Sequence, residues 1–135
     1  MARVALAIVG TRILGCKDDY RRSKARIERA LSVLHPEIFV SGGAVGIDSL
    51  AESIARDLGY NEKAGTLIVH KPTTRKFQGP GGYAERNERI AEDCTHLLRL
   101  SCFLAETYGS AWTAQKARML NRVVVDEVIC SNPRW

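Results

Sequence analysis

A turn of small residues, Ser41-Gly42-Gly43-Ala44-Val45-Gly46, lies between a short apolar strand and a helix. The helix is predicted over Ile47–Leu58, because its apolar residues recur at helical period. Glycines let the backbone approach a ligand, and the first N–H groups of a helix have no partner within it. The turn therefore predicts a phosphate site. A tight turn without a ligand has the same residues, and the spacing matches neither GxGxxG nor a P-loop.

Gly10-Thr11-Arg12 ends a nearly continuous apolar run, Arg3–Val9, which is typical of a central parallel strand buried on both faces. Open α/β sheets bind ligands at the carboxyl ends of such strands. Thr11 offers a hydroxyl and a backbone N–H, and Arg12 offers a guanidinium that can pair with an anion. The alternative is an ordinary turn with a solvated arginine.

A second turn, Tyr108-Gly109-Ser110, precedes a helix predicted over Ala111–Asn121 and offers the same helix-terminal donors. Ser110 is expected to cap that helix. Trp112 and Thr113 fall in its first turn. Trp112 either packs on the sheet or stacks on a ligand base.

The long loop Lys71–Tyr83 contains two prolines, three glycines and three basic residues. Phe77 and Tyr83 are unusual in a solvated loop, so the loop either folds over a ligand as a lid or is a floppy insert. The helix Ala84–Cys94 follows, with Arg86-Asn87 in its first turn. A cation there opposes the helix dipole, which hints at a functional role for Arg86.

Five strands and four helices alternate to position these residues. The strands are predicted at Arg3–Val9, Ile38–Val40, Thr66–Val69, Thr95–Leu100 and Arg122–Val125, and the one helix not yet described is Asp18–Leu34. Right-handed crossovers give a Rossmann-like, doubly wound parallel α/β sheet with helices on both faces. In the order 3-2-1-4-5 the three turns converge on one crevice. A short tail from Asp126 or Glu127 to Trp135 follows, with a strand extension at Val128–Ile129.

The composition is that of an ordinary globular protein. The chain has 135 residues, 45% of them hydrophobic and 26% charged, and its length suits one domain, residues 1–135. No apolar run approaches membrane-spanning length and no signal peptide is recognisable, so we expect no membrane partner and a cytoplasmic location. The four cysteines, Cys16, Cys94, Cys102 and Cys130, lack metal-site spacing and are expected to be reduced thiols, although a disulfide between distant pairs stays open.

The net charge of +5 favours anionic partners. Arg22, Arg26 and Arg29 form the densest basic patch, on the outer face of the first helix. This patch is either a nucleic-acid footprint or a solvated face partly paired with Glu28.

In order, the segments AIVGTR, VSGGAVGID, RN and GSAWTA resemble the SLOG superfamily. That Rossmann-like group includes the DprA/Smf core, the LOG-type nucleotide phosphoribohydrolases and small stand-alone members. The resemblance covers nearly the whole chain and implies a pocket for nucleotide or nucleic-acid phosphate. The pocket residues that it implies are Gly10, Thr11, Arg12, Ser41, Gly42, Gly43, Ala44, Gly46, Asp48, Arg86, Asn87, Gly109, Ser110 and Thr113.

The chain departs from both named branches of the superfamily. LOG-type enzymes carry PGGxGTxxE at the fourth turn, whereas this chain has Gln115 near that position, and glutamine cannot act as a general base. Pro80-Gly81-Gly82 lies before the third helix and is no substitute. Glu88 or Asp48 could serve in principle, but the sequence singles out neither. DprA proteins are longer and have appended parts that are missing here.

We therefore expect a non-catalytic, nucleotide-binding domain of the SLOG type and assign no catalytic residue and no metal. Arg12 and Arg86 would neutralise the phosphate charge. Asp48 would accept a hydrogen bond from a ribose hydroxyl, and Trp112 or Tyr83 would stack on the base. The alternatives are a LOG-like phosphoribohydrolase acting on nucleoside monophosphates, a DprA-like single-strand DNA binder, and a signalling module that responds to the ligand. Because SLOG relatives often self-associate, a homodimer is also expected.

Overall fold

The computed structural model describes residues 3–12, 17–102 and 108–129. Nine elements alternate along this part of the chain. The strands are β1 (Ala5–Gly10), β2 (Ile38–Ser41), β3 (Leu67–Val69), β4 (His96–Ser101) and β5 (Val123–Val128). The helices are α1 (Lys17–Leu34), α2 (Ile47–Asp57), α3 (Tyr83–Asp93) and α4 (Tyr108–Met119).

All strands are parallel, and their order is β3-β2-β1-β4-β5, so the predicted Rossmann-like α/β fold and strand order are confirmed. β1 is buried along its whole length, as its continuous apolar sequence predicts for the centre of a parallel sheet. The connections from β1 and β4 run in opposite directions. The switch point of the sheet therefore lies between these two strands.

Two apolar clusters hold helices on the two faces of the sheet. One contains Ile27 of α1 and Ile54 of α2, packed against Leu6 and Ile8 of β1. The other contains Ile90 of α3 and Ala114 of α4, packed against Ala7 and Val9 of the same strand. Alternate residues of β1 thus face opposite helix layers, as strand geometry requires.

Two boundary predictions at the carboxyl end of the chain are wrong. α4 begins at Tyr108, so Gly109 and Ser110 lie within the helix, and Ser110 does not precede it as a cap. β5 continues to Val128 because pairing with β4 extends to Ser101, so the tail begins later than predicted. The predicted extension at Val128 is confirmed as part of β5. Residues 130–135 of the tail, with Cys130 and Trp135, and also Cys16, lie outside the described residues.

Smaller differences occur at other element ends. Ser41 is the last residue of β2, and Tyr83 is the first residue of α3, so the preceding loop ends at Gly82. Within the described residues, no helix combines the length and the apolar character that crossing a membrane requires.

Candidate functional site

A cavity of about 280 Å³ lies at the carboxyl ends of β1 and β4, at the switch point of the sheet. Ten of the sequence-predicted residues line it: Gly10, Arg12, Ala44, Asp48, Tyr83, Arg86, Asn87, Gly109, Ser110 and Thr113. Val9 and Phe77 complete the wall. The fold thus brings together four segments that are far apart in the sequence. We call this cavity the crevice.

Asp48 is the buried carboxyl of the crevice, with only 6% of the residue exposed. It accepts hydrogen bonds from the backbone N–H groups of Gly10 and of Asp48 itself. Burial raises the pKa of Asp48 to about 7, although the positive charges of Arg86 and Arg12 oppose the rise. Near neutral pH this carboxyl is therefore divided between a form that accepts hydrogen bonds and a form that donates one.

The first turn of α2 has fewer open donors than the sequence predicts. The N–H of Ile47 donates to the carbonyl oxygen of Thr11 at 3.0 Å, and the N–H of Asp48 donates to its own carboxyl. The Asp48 carboxylate thus occupies part of the place predicted for a ligand phosphate. Among the described residues, the N–H of Ala44 in the crevice wall has no acceptor, so it is one backbone donor available there.

Arg86 crosses the crevice from the first turn of α3. Its Nη1 donates to the carbonyl oxygen of Gly42 at 2.6 Å, and its Nε donates to Oδ1 of Asn87 at 2.7 Å. The guanidinium also lies over the ring of Tyr83, 5.5 Å from its centroid. Burial lowers the pKa of Arg86, and the Asp48 carboxylate opposes that change. These contacts use two of the five guanidinium donors, so three remain for a ligand.

Arg12 stands at the exposed rim of the same cavity. Among the described residues it makes no ion pair within 4.0 Å. Its charge is close enough to influence both Asp48 and Arg86. Two cations thus share the crevice with one carboxyl whose ionisation is suppressed, which gives the crevice a positive balance.

Hydrogen bonds join α3 to the start of α4 behind Arg86. Nδ2 of Asn87 donates to the carbonyl oxygen of Gly109 at 3.4 Å, and Oγ1 of Thr113 donates to the same oxygen at 2.8 Å. Oγ of Ser110 accepts from Nε of Arg99 at 2.9 Å. Ser110 therefore binds a β4 side chain instead of capping the helix.

The predicted residues Thr11, Ser41, Gly42, Gly43 and Gly46 do not line the crevice but support it. Thr11 is fully buried, and its N–H donates to the carbonyl oxygen of Leu100 at 2.9 Å, which links the ends of β1 and β4. Ser41 donates from Oγ to Glu52 at 2.8 Å and accepts from the N–H of Gly43 at 3.1 Å. These contacts fix the path of the turn into α2.

Gly46 is needed at its position for a steric reason. Its φ is +85°, and a Cβ atom there would lie 2.3 Å from the carbonyl oxygen of Thr11 and 2.6 Å from Cα of Arg12. The β1 and β2 turns meet at this point with no room for a side chain. The close approach places Arg12 beside the start of α2.

The aromatic side of the crevice differs from the prediction. Trp112 does not line the cavity; it packs edge-on against Phe77, with ring centroids 5.9 Å apart, and Nζ of Lys116 lies 5.3 Å from its ring. Phe77 lines the cavity instead. Its isolated position among polar loop residues was the available signal, but the sequence did not indicate which of the two rings faces the crevice.

The loop before α3 is attached to the rest of the structure by backbone hydrogen bonds. The carbonyl oxygen of Gly81 accepts from the N–H groups of Thr73 and Thr74, and that of Phe77 accepts from the N–H of Ala84. These bonds give the loop a defined path into α3. They favour a built wall of the crevice over a floppy insert.

The basic face of α1 is partly neutralised by acidic neighbours. Nε of Arg26 contacts Glu127 of β5 at 2.8 Å, and Nη1 of Arg22 lies 3.8 Å from Oδ1 of Asp19. Glu28, the predicted partner, makes no ion pair within the described part of the chain. Cys94 and Cys102 are buried thiols without a disulfide.

No family model matches the chain, and no curated protein sequence matches it.

Proposed function

We propose that the crevice binds a small nucleotide and that the protein holds this ligand without converting it. The observation that carries the proposal is the placement of Arg12 and Arg86 beside the buried carboxyl of Asp48 in one cavity of about 280 Å³. Sites for small organic ligands occupy about 300–1,000 Å³, and a cavity of about 280 Å³ lies at the small end of that scale, which suits a mononucleotide better than a dinucleotide.

The charge balance supports a phosphate-bearing ligand. The two guanidinium groups contribute two positive charges, and burial, which raises the pKa of Asp48 to about 7, suppresses the single negative charge beside them. The crevice therefore carries a net positive charge. Arg12 and the remaining donors of Arg86 would bind the phosphate, with the N–H of Ala44 as a third contact.

The remaining walls suit the other two parts of a nucleotide. The ionised carboxylate of Asp48 would accept a hydrogen bond from a ribose hydroxyl. The protonated carboxyl would donate a hydrogen bond to a ligand oxygen. Phe77 and Tyr83 offer ring surfaces for a base. On the same footing, we propose membership of the SLOG superfamily, because the four resembling segments meet in this cavity. We also propose a cytoplasmic location, which buried thiols such as Cys94 favour.

Phosphoribohydrolase activity is the second candidate function. The observation that favours it is the raised pKa of the buried Asp48 carboxyl. A carboxyl with a pKa near 7 is suited to deliver a proton to a leaving base or to accept one from water. Release of free base and ribose 5-phosphate from a nucleoside monophosphate would establish this activity. The Asp48→Asn variant should then bind nucleotide without releasing base.

Single-strand DNA binding receives less support, because Arg26 of the α1 basic face is already paired with Glu127. The affinity of a DNA-binding face for single-stranded DNA should fall steeply as the salt concentration rises, since each neutralised phosphate releases counterions.

The proposal is tested by thermal shift with a nucleoside 5′-monophosphate, the matching nucleoside, inorganic phosphate and a short oligonucleotide. The monophosphate at about 100 times its Kd should stabilise the fold by about 2.7 kcal/mol, or several degrees in Tm. Arg12→Ala should weaken its binding about 10- to 100-fold, because charge-assisted hydrogen bonds contribute about 1.5–3 kcal/mol.

Arg75→Ala is the matched control. Arg75 is also exposed and makes no ion pair within the described residues, but it does not line the crevice. Equal binding by wild type and Arg12→Ala, or equal binding of nucleoside and monophosphate, would contradict phosphate recognition in the crevice.

A further inference from the structure

A second cavity, a polar groove of about 440 Å³, opens beside the crevice at the carboxyl end of β3. Its wall includes Lys71, from the loop after β3, and Arg89, from α3. Arg86 lines this groove and the crevice alike, so its side chain stands between the two cavities. We call the second cavity the side groove.

The negative charge in the wall of the side groove already has partners. Among the described residues that line the groove, the carboxylate is that of Glu85. Its Oε1 accepts a hydrogen bond from Nη2 of Arg89 at 3.0 Å, and its Oε2 accepts one from the N–H of Gly81 at 3.1 Å. Glu85 and Arg89 therefore compensate each other, and the charge of the groove depends on the other two cations.

Lys71 is an exposed cation that makes no ion pair within 4.0 Å in the described part of the chain. The hydrogen bond from Arg56 is the main cause of the lowered pKa of Glu62, and the charge of Lys71 contributes to it. Arg56 and Glu62 lie 2.7 Å apart, so this carboxylate has its own partner at contact distance. The ammonium group of Lys71 is therefore available to an anion in the side groove.

Two glycines of the turn after β2 make room for the two cationic side chains. A Cβ atom on Gly42 would lie 3.1 Å from Nη1 of Arg86, and one on Gly43 would lie 3.3 Å from Cγ and 3.4 Å from Cε of Lys71. Gly43 also has a φ of +67°, which favours glycine. Arg86 and Lys71 thus pack against consecutive residues of one turn, and neighbouring Cα atoms are only about 3.8 Å apart.

We infer that the side groove binds a second phosphate group and that the ligand of the crevice is a nucleoside diphosphate. The inference rests on the proposed function, because the nucleotide must occupy the crevice for its second phosphate to reach the groove. The first phosphate would bind Arg12 and Arg86, and the second would lie between Arg86 and Lys71. A guanidinium can serve both groups because it has donors on two sides, and a lysine ammonium binds phosphate as a point charge.

Lys71 is the residue that distinguishes the two ligands. It lines the side groove but not the crevice, and it lies outside the pocket residues that the SLOG resemblance implies. Binding of a monophosphate therefore depends on Arg12 and Arg86, whereas binding of a diphosphate depends on Lys71 as well. The preference between the two nucleotides is a readout of the side groove alone.

Isothermal titration calorimetry tests the preference with the 5′-monophosphates and 5′-diphosphates of adenosine, guanosine, cytidine and uridine. EDTA is present so that no divalent cation masks the phosphate charge. For the base that binds, the diphosphate should bind wild type about 3- to 10-fold more tightly than the monophosphate. This gain is that of a charge-assisted hydrogen bond weakened by solvent at an exposed lysine.

Lys71→Met keeps the aliphatic stem beside Gly43 and removes the charge. It should abolish the preference for the diphosphate and leave the Kd of the monophosphate within about twofold, whereas Lys71→Arg should keep the preference. Lys63→Met is the matched control, because Lys63 is also exposed, makes no ion pair within the described residues and lines neither cavity.

Two results would overturn the inference and leave the proposed function standing. One is equal affinity of wild type for the monophosphate and the diphosphate. The other is a preference for the diphosphate that survives in Lys71→Met. Binding of neither nucleotide would overturn both the inference and the proposed function.

NMR locates the second phosphate independently of any variant. On titration of ¹⁵N-labelled wild type with the diphosphate, amide shift changes should extend beyond the crevice to His70, Lys71 and Gly82, which line the side groove. The monophosphate should leave these three amides unchanged. Changes confined to the crevice with both nucleotides would contradict a subsite in the side groove.

Discussion

The crevice and the β5 edge distribute polarity in opposite ways. In the crevice, polar side chains are buried: Asp48, Asn87 and Thr113 are each less than 10% exposed. At the β5 edge, apolar side chains are open to solvent, and Val123 and Val128 are more than half exposed. In most proteins, polar side chains lie mainly at the surface and large apolar side chains lie mainly in the core.

The two regions depart from this usual distribution of side chains for different reasons. Buried polar groups cost free energy unless they are hydrogen-bonded, and most of those in the crevice are bonded to one another or to backbone. The cationic excess that remains is complementary to an anion. Along the described residues, the β5 edge has no further strand beside it, and apolar side chains are exposed there. We therefore expect the crevice, and not the β5 edge, to respond to small anionic ligands.

The largest effect should come from Gly46, where the turns after β1 and β2 meet behind the crevice. Gly46→Ala should lower the free energy of unfolding by about 3–5 kcal/mol, since it adds backbone strain to a steric clash with Thr11 and Arg12. Gly59→Ala is the control, because Gly59 also has positive φ, +103°, but has no atom within 4 Å of the added Cβ. Urea unfolding of both variants isolates the clash. Equal losses of stability in the two variants would show that the contact of Gly46 with Thr11 and Arg12 is not crowded.

Asp48 should make stability depend on pH. Its pKa is about 7 in the folded protein, against 3.8 for an unperturbed aspartate, so the folded state binds more protons between these values. The stabilisation is complete below about pH 4 and is lost as pH rises to about 7, with an upper limit of about 4 kcal/mol.

Unfolding of Asp48→Asn over the same pH range should show a flatter profile, because this amide does not titrate. Asp57→Asn, at an exposed position of the same helix, should keep the wild-type slope. A slope that survives in Asp48→Asn would place its origin in another group.

A matched valine pair should give the smallest effects and compare the two regions directly. Val40→Thr buries a hydroxyl in the strand that leads to the crevice and should cost about 1–3 kcal/mol. Val125→Thr, at 41% exposure on the edge, should change the stability of the monomer by less than about 0.5 kcal/mol. Thermal unfolding at low protein concentration separates this effect from association. A larger loss at Val125 would mean that the edge is covered in the monomer.

The sequence was sufficient for the fold because the signals were periodic or continuous. The apolar run in β1 predicted a central strand, and the helical stripe from Ile47 predicted α2. The boundary of α4 was missed because glycine and serine at Tyr108-Gly109-Ser110 are typical of a turn, whereas Ser110 is occupied by Arg99 from β4. A contact between residues eleven positions apart leaves no periodic trace.

Much of the crevice was also predictable as a set of residues, because the strand order brings the turns to one edge. Its internal bonding was not. The sequence predicted that the first N–H groups of α2 are free to bind a ligand. In the structure, the carbonyl of Thr11 and the carboxyl of Asp48 accept hydrogen bonds from two of these groups. The sequence does not indicate whether the ring of Phe77 or that of Trp112 faces the cavity. Packing in the folded chain determines that it is the ring of Phe77.

The most direct test is a ¹H–¹⁵N NMR titration of the wild-type protein with a nucleoside 5′-monophosphate. The largest chemical-shift changes should belong to backbone amides of the crevice, namely those of Gly10, Ala44, Asp48, Asn87 and Gly109, and the amides of β5 should stay unchanged. Changes centred on β5 or α1, or no changes up to millimolar nucleotide, would contradict the claim that the crevice is the ligand site.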